Sequence, residues 1–272
     1  MEQRIDRRMF ETDVLPTKSS ITIAVAALNE DENLKQAVRI MVEAAERCFE
    51  SYEIIIFNDG STDRTGEVAE ALAARYTDVS VVHHERPKCL GGVIRSGLTR
   101  ARMEYFMWID GKGATTEQAL DSIFAMRGQS DLIVPYPNNQ HERSWVRRLI
   151  SCTFVTVLNV LFQLKLKYYT HVVLCRTDQV RQFTIRTNSY AFQAEMLIKM
   201  IKSGCSYSEV GVSDRYEFVG RRTKAFRLNN FTRMGTFLAM TMWDVHIARN
   251  YRQTLSSCDQ SVPPSKEMAM KE

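Results

Sequence analysis

The chain has 272 residues, 44% hydrophobic and 25% charged, with a formal net charge of +4. That is the balance of a globular protein with enough material for one large core, and the small positive excess argues against general nucleic-acid binding. Six cysteines (Cys48, Cys89, Cys152, Cys175, Cys205, Cys258) lie far apart with no C-x-x-C pair, which indicates neither a zinc site nor a disulfide framework and suits a reducing cytoplasm.

In chain order, residues 1–19 are polar and charged, lack the apolar core of a signal peptide, and are read as an N-terminal extension. From Ile21 the chain alternates buried strands with helices of apolar period. Strands are expected at Ile21–Leu28, Glu53–Phe57, Val79–His83, Tyr105–Asp110 and Asp131–Tyr136. Helices are expected at Glu32–Phe49, Thr65–Tyr76, Gly92–Arg102 and Thr116–Met126. Repeated βα units predict an α/β fold, a mainly parallel sheet flanked by helices on both faces.

After about residue 140 the rhythm changes. The longest apolar segment, Leu149–Leu164, is shorter than the roughly 20 residues that span a bilayer and is expected to be a buried or interfacial helix. A strand-like stretch (Tyr168–Cys175), a helix (Tyr190–Ser203), a strand (Ser206–Val212) and a last helix (Leu228–Tyr251) form a C-terminal helical elaboration of a single domain, residues 20–252. Residues 253–272, rich in Ser, Pro, Lys and Glu, predict a disordered tail. The basic residues gather in this half, at Arg143, Arg147 and Arg148 and from Arg215 to Arg227, which points to a phosphate-bearing or anionic partner.

Three strand ends carry polar turns. The first reads Leu28-Asn29-Glu30-Asp31-Glu32-Asn33, without the G-x-G-x-x-G of a dinucleotide site. The second reads Asn58-Asp59-Gly60-Ser61-Thr62-Asp63-Arg64-Thr65, and an aromatic strand closes on Asp110-Gly111-Lys112-Gly113. Taken singly, each is explained as helix capping: Asn29 for the first, Ser61, Thr62 or Asp63 for the second, Thr115 or Thr116 for the third. His83-His84 reads as an exposed strand end, and Met234, Leu238, Met242 and Val245 as a packing stripe.

Together, in this order and with Pro87-Lys88-Cys89-Leu90-Gly91-Gly92 between the last two, these turns resemble the family-two glycosyltransferases of GT-A fold. Within them the chain is similar to the dolichyl- and polyprenyl-phosphate sugar synthases. The resemblance runs from about Ile21 to Phe231 and includes Tyr190–Leu197 and Gly204–Val212.

The resemblance implies a glycosyltransferase that moves a sugar from a nucleotide-sugar to an acceptor, a polyprenyl phosphate in that branch, with inversion. It places Asn29, Glu30 and Asp59 at the nucleotide, and Asp110 with the residue two further on at the D-x-D that holds a divalent cation (Mg or Mn). Here the second acid is replaced by Lys112. Three readings stay open: Lys112 supplies the positive charge itself, Asp110 keeps a metal with other ligands, or the protein binds a nucleotide-sugar without transferring it. Arg221, Arg222 and Lys224 match a phosphate-binding segment in altered spacing. A phosphate acceptor needs no base; a soluble hydroxyl acceptor would, and Glu195 is the candidate. Peripheral contact with the inner face of a membrane is expected if the acceptor is a lipid.

Overall fold

The computed structural model describes residues 17–189, 191–216 and 228–248. Seven strands, β1 Thr17–Ala27, β2 Phe49–Asn58, β3 Val79–His83, β4 Tyr105–Asp110, β5 Leu132–Pro137, β6 Leu174–Arg176 and β7 Tyr207–Val212, form one sheet in the order β3-β2-β1-β4-β6-β5-β7. Only β6 runs antiparallel to its neighbours. Ile21, Ile23 and Val25 of β1 and Ile54 and Ile56 of β2 share one face of the sheet, Phe57 of β2 lies on the other, and all are wholly buried, because helices cover both faces. Each such side chain contributes about 1.5–3 kcal/mol through the apolar area it removes from water.

The helices are α1 Leu34–Cys48, α2 Thr65–Arg75, α3 Cys89–Arg100, α4 Glu117–Ala125, α5 Trp145–Phe162, the single turn α6 Thr177–Val180, α7 Phe192–Lys202 and α8 Leu228–Met242, which runs into a π-helical turn at Trp243–Ala248. On one face α1 packs beside α2 and α4; α3 packs beside α7. Gly97 sets α3 against the sheet: a Cβ there would lie 2.8 Å from Ala24 Cβ and 3.3 Å from the Phe106 ring. Ala27, on the opposite face of β1 from Ala24, lies beside α1 residue Leu34 at Gly111. The chain builds outward from β1 to β2 to β3, then returns through α3 to β4 on the other side of β1. That reversal is a topological switch point, and the carboxyl ends of β1, β2 and β4 surround it.

Two expectations change. Helix α5 starts earlier than its apolar run and is mostly exposed: Leu158 and Phe162 alone are buried, while Trp145, Leu149, Ile150 and Val160 face outward. The buried reading of this segment is therefore wrong. With 18 residues and a mean hydropathy of 1.4, α5 is long and apolar enough to cross a membrane by length and composition. It stops where Gln163 turns left-handed (φ 52°), and Asn159 stitches the return by accepting from Leu166 N–H and Tyr169 O–H and donating to Leu166 C=O. The stretch Tyr168–Cys175 is buried except at Thr170, yet only its end pairs with the sheet, as β6.

Candidate active site

The turn after β1 is locked to the turn after β2. Asn29 takes a left-handed conformation (φ 57°), its N–H donates to Ser61 Oγ at 3.1 Å, and its Oδ1 accepts from Thr62 N–H at 2.9 Å. Asn29 therefore bridges two loops rather than capping α1, whose N-cap position is Asn33. Glu30 is buried; its N–H donates to Thr65 Oγ1 at 2.8 Å, and its Oε2 accepts from Asn33 Nδ2 at 3.0 Å. In the second turn Asp63 Oδ1 accepts from Thr65 N–H, although the N-cap position of α2 is Arg64, which makes no side-chain cap bond; in the third Thr116 is the N-cap of α4 and accepts from Ala119 N–H.

Asp59 and Asp110 flank the end of β1. Asp59 N–H donates to Ala27 C=O and Gly111 N–H to Ala26 C=O, each at 2.9 Å, so the two acids stand about two strand spacings, roughly 10 Å, apart on one edge. Asp59 is buried. Its Oδ1 meets His84 Nδ1 at 2.7 Å and accepts from Lys88 N–H at 2.8 Å, and its Oδ2 accepts from Cys89 N–H at 3.1 Å. A carboxylate offers about four acceptor positions, which leaves one on Oδ2. His84, expected to be exposed, is thus buried against Asp59, whereas His83 is exposed and bonded to Glu70.

Asp110 closes β4 with its Oδ1 buried and without a hydrogen-bond partner. Burial pushes its carboxyl above the ordinary carboxylate range; the Lys112 ammonium and the Lys112 N–H pull it back, Asp214 adds to the rise and His171 opposes it. Lys112 itself is exposed. His171 and Asp214 were not legible as site residues. His171 Nε2 lies 3.1 Å from both carboxylate oxygens of Asp214, and its Nδ1 is buried with no partner. The available signal was a histidine inside an apolar run.

Among the described residues no three His, Cys, Asp or Glu side chains converge on a point that could hold a metal ion. Asp110, a single carboxylate whose burial favours the neutral form, does not make a divalent-cation site on its own. Glu195 is not brought to this edge as an open base. It is buried in α7, accepts from Arg186 N–H at 3.0 Å and Thr187 N–H at 2.9 Å, and pairs with Lys199 Nζ at 2.6 Å. A carboxylate so engaged braces the loop before α7. Arg221, Arg222 and Lys224 lie outside the described residues, as do the tail and the first sixteen positions. Of the expected stripe, Val245 is buried, Leu238 packs on the core and Met242 is exposed.

The edge geometry coincides with a family match: residues 22–151, from the middle of β1 into α5, fit the model of glycosyl transferase family 2. That stretch is a family-two glycosyltransferase domain. A dolichyl-phosphate beta-glucosyltransferase of Mus musculus is 30% identical to the chain over 129 residues, 45% of this chain and 39% of the relative. Glycosyltransferase AglD of Haloferax volcanii is 21% identical over 237 residues, 84% of this chain and 38% of the relative. The chain thus matches less than half the length of either. Glucosyl-3-phosphoglycerate synthase from Mycobacterium tuberculosis, solved with uridine diphosphate, superposes with a TM-score of 0.61 at 15% identity, covering 83% of this chain and 79% of that one. The same enzyme solved with Mn2+, UDP-glucose and phosphoglyceric acid gives the same score and coverage at 14% identity. These likenesses establish that the family-two domain sits in a GT-A fold.

Proposed function

We propose that this chain is a glycosyltransferase that moves a sugar from a nucleotide-sugar to a polyprenyl phosphate, with inversion. The observation that carries the donor half is the meeting of Asn29, Glu30, Asp59 and Asp110 around the switch point, where open α/β sheets bind ligands. In this reading Glu30 and the unused acceptor position of Asp59 take the base N–H and the ribose hydroxyls. Asp110 and Lys112 stand at the diphosphate, and the exposed Lys112 ammonium offsets the charge that grows on the leaving group. An acceptor phosphate oxygen attacks the anomeric carbon from the face opposite the diphosphate. The bond from that carbon to the diphosphate oxygen breaks, and the nucleoside diphosphate leaves with the electron pair. A phosphate acceptor is already ionised, so Glu195 is free to serve as a brace.

The acceptor class rests on the names of the dolichyl-phosphate relatives and on one surface. The exposed Trp145, Leu149, Ile150 and Val160 of α5 share it with Trp243 and Ile247, because His246 bonds Leu161 C=O and stacks on Phe162. Apolar area of this kind marks a membrane or partner contact, and Arg147 and Arg148 in the same helix suit an anionic bilayer. A second reading, transfer to a soluble hydroxyl, is favoured by His171: held by Asp214, it could take the proton that such an acceptor must lose. Transfer from a panel of nucleotide-sugars, offered to dolichyl phosphate in liposomes and to soluble alcohols, tests both, with sedimentation of the protein alongside. Co-sedimentation and a lipid-linked product are expected. Protein that stays in the supernatant at low salt and glycosylates only the alcohol defeats the lipid reading, and nucleotide binding without any transfer leaves a non-catalytic relative.

A further inference from the structure

Strands β2 and β3 run in register with Asn58 opposite His83, so the next residues along, Asp59 and His84, leave the sheet side by side. His84 N–H still donates to Asn58 C=O at 2.9 Å, while its ring turns onto Asp59 with Nδ1 2.7 Å from Oδ1. The pair is closed off from water: the His84 side chain is 4% exposed and that of Asp59 6%. The ring also packs on Phe57, two residues before Asp59, at 5.8 Å between centroids. A carboxylate only accepts, so the proton of this bond belongs to Nδ1. The other ring nitrogen, Nε2, is buried without a partner, which leaves Asp59 Oδ1 as the one polar atom among the described residues that the ring engages.

From His84 the chain wraps around the carboxylate. Pro87 lies against the Gly60 turn, where a Cβ would come within 2.8 Å of Pro87 Cδ, and Cys89 takes a left-handed conformation (φ 61°) as it opens α3. That path delivers Lys88 N–H to Oδ1 at 2.8 Å and Cys89 N–H to Oδ2 at 3.1 Å. Each oxygen thus has one backbone donor. His84 adds a second to Oδ1 alone, which fills that oxygen and leaves the open acceptor position on Oδ2. Without the imidazole, Oδ1 would keep an unpaired acceptor in a buried place, a costly state that turning the carboxylate relieves.

We propose that His84 is a positioning residue for nucleotide binding: by occupying Asp59 Oδ1 it presents Oδ2 as the acceptor that meets the nucleotide. The role rests on the nucleotide reading of Asp59, and His84 acts only through that carboxylate.

The test uses the full chain, titrated with uridine and guanosine diphosphates, with a melting curve on each sample. His84→Leu removes the ring donor and keeps an apolar side chain against Phe57; it is expected to weaken diphosphate binding about tenfold, the scale of one hydrogen bond to a charged group. His84→Asn carries an amide N–H where histidine carries Nδ1–H, two bonds from Cβ, and should bring affinity back to within about threefold of the parent. Adding His84→Leu to Asp59→Ala should cause no further loss, because the two changes remove one interaction. If His84→Leu does not fold, His84→Phe, which keeps a ring on Phe57 without the donor, carries the same comparison. Parent-like affinity in His84→Leu, an equal loss in His84→Leu and His84→Asn, or an additive loss in the double variant overturns the proposal. When binding depends on Asp59 and not on His84, the proposal falls and the nucleotide reading stands. Diphosphates that do not bind the unmodified protein, or that bind Asp59→Ala as tightly, overturn both.

Discussion

Lys199→Met tests how α7 supports the candidate active site. Lys199 is wholly buried, and its three N–H donors are all used: Glu195 Oε1 at 2.6 Å, Asp244 Oδ2 at 2.8 Å and Thr184 C=O at 2.8 Å. Methionine fills a similar volume but strands two carboxylates. Glu195 keeps the N–H groups of Arg186 and Thr187, whereas Asp244, also buried, keeps among the described residues only the Arg186 guanidinium at 3.5 Å. Removing one partner of a buried ion pair costs about 3–5 kcal/mol, a fifth or more of a typical total of about 5–15 kcal/mol. Urea unfolding should show a lower midpoint with an unchanged slope, and the melting temperature should fall by roughly 6–20 °C. Asp244→Asn in the same chain should restore part of the loss, since it removes the stranded charge. A cost below about 1 kcal/mol, or a double variant no more stable than Lys199→Met, would refute the claim that this network ties the π-helical turn to the loop beside α3.

Asp59→Ala should weaken uridine diphosphate binding about tenfold or more, and it should also lower stability, because His84 and two backbone N–H groups lose their acceptor; titration and melting curves on one sample separate the effects. Uridine diphosphate binding should survive a chelator, and Lys112→Asp should make it depend on manganese or magnesium; loss of binding by the unmodified protein in chelator would point to a metal at Asp110. Asp110→Asn should stabilise the fold at neutral pH and leave it unchanged in acid. Burial raises the folded pKa of Asp110 above the ordinary 3.8, so the folded state holds its proton longer than the unfolded chain, and stability is lost as pH rises through the folded value. A pH–stability curve identical in Asp110→Asn and the parent would contradict that assignment.

Sequence alone determined the βα rhythm through residue 137, because parallel strands buried on both faces are continuous apolar runs and their helices carry a separate period. It also determined that Asn29, Glu30, Asp59 and Asp110 end strands, since Gly and Asx turns have local causes. Only tertiary structure decided what those side chains do. Asp59 is largely consumed by His84 and the start of α3, Glu195 by Lys199 and the loop before α7, partners at sequence distances that no local pattern reports. His171 and Asp214 meet across 43 positions, so neither residue announces the pair. The exposure of α5 was equally hidden: an apolar helix has the same composition whether it faces a core or stands outside it, and what covers it is decided by the rest of the fold.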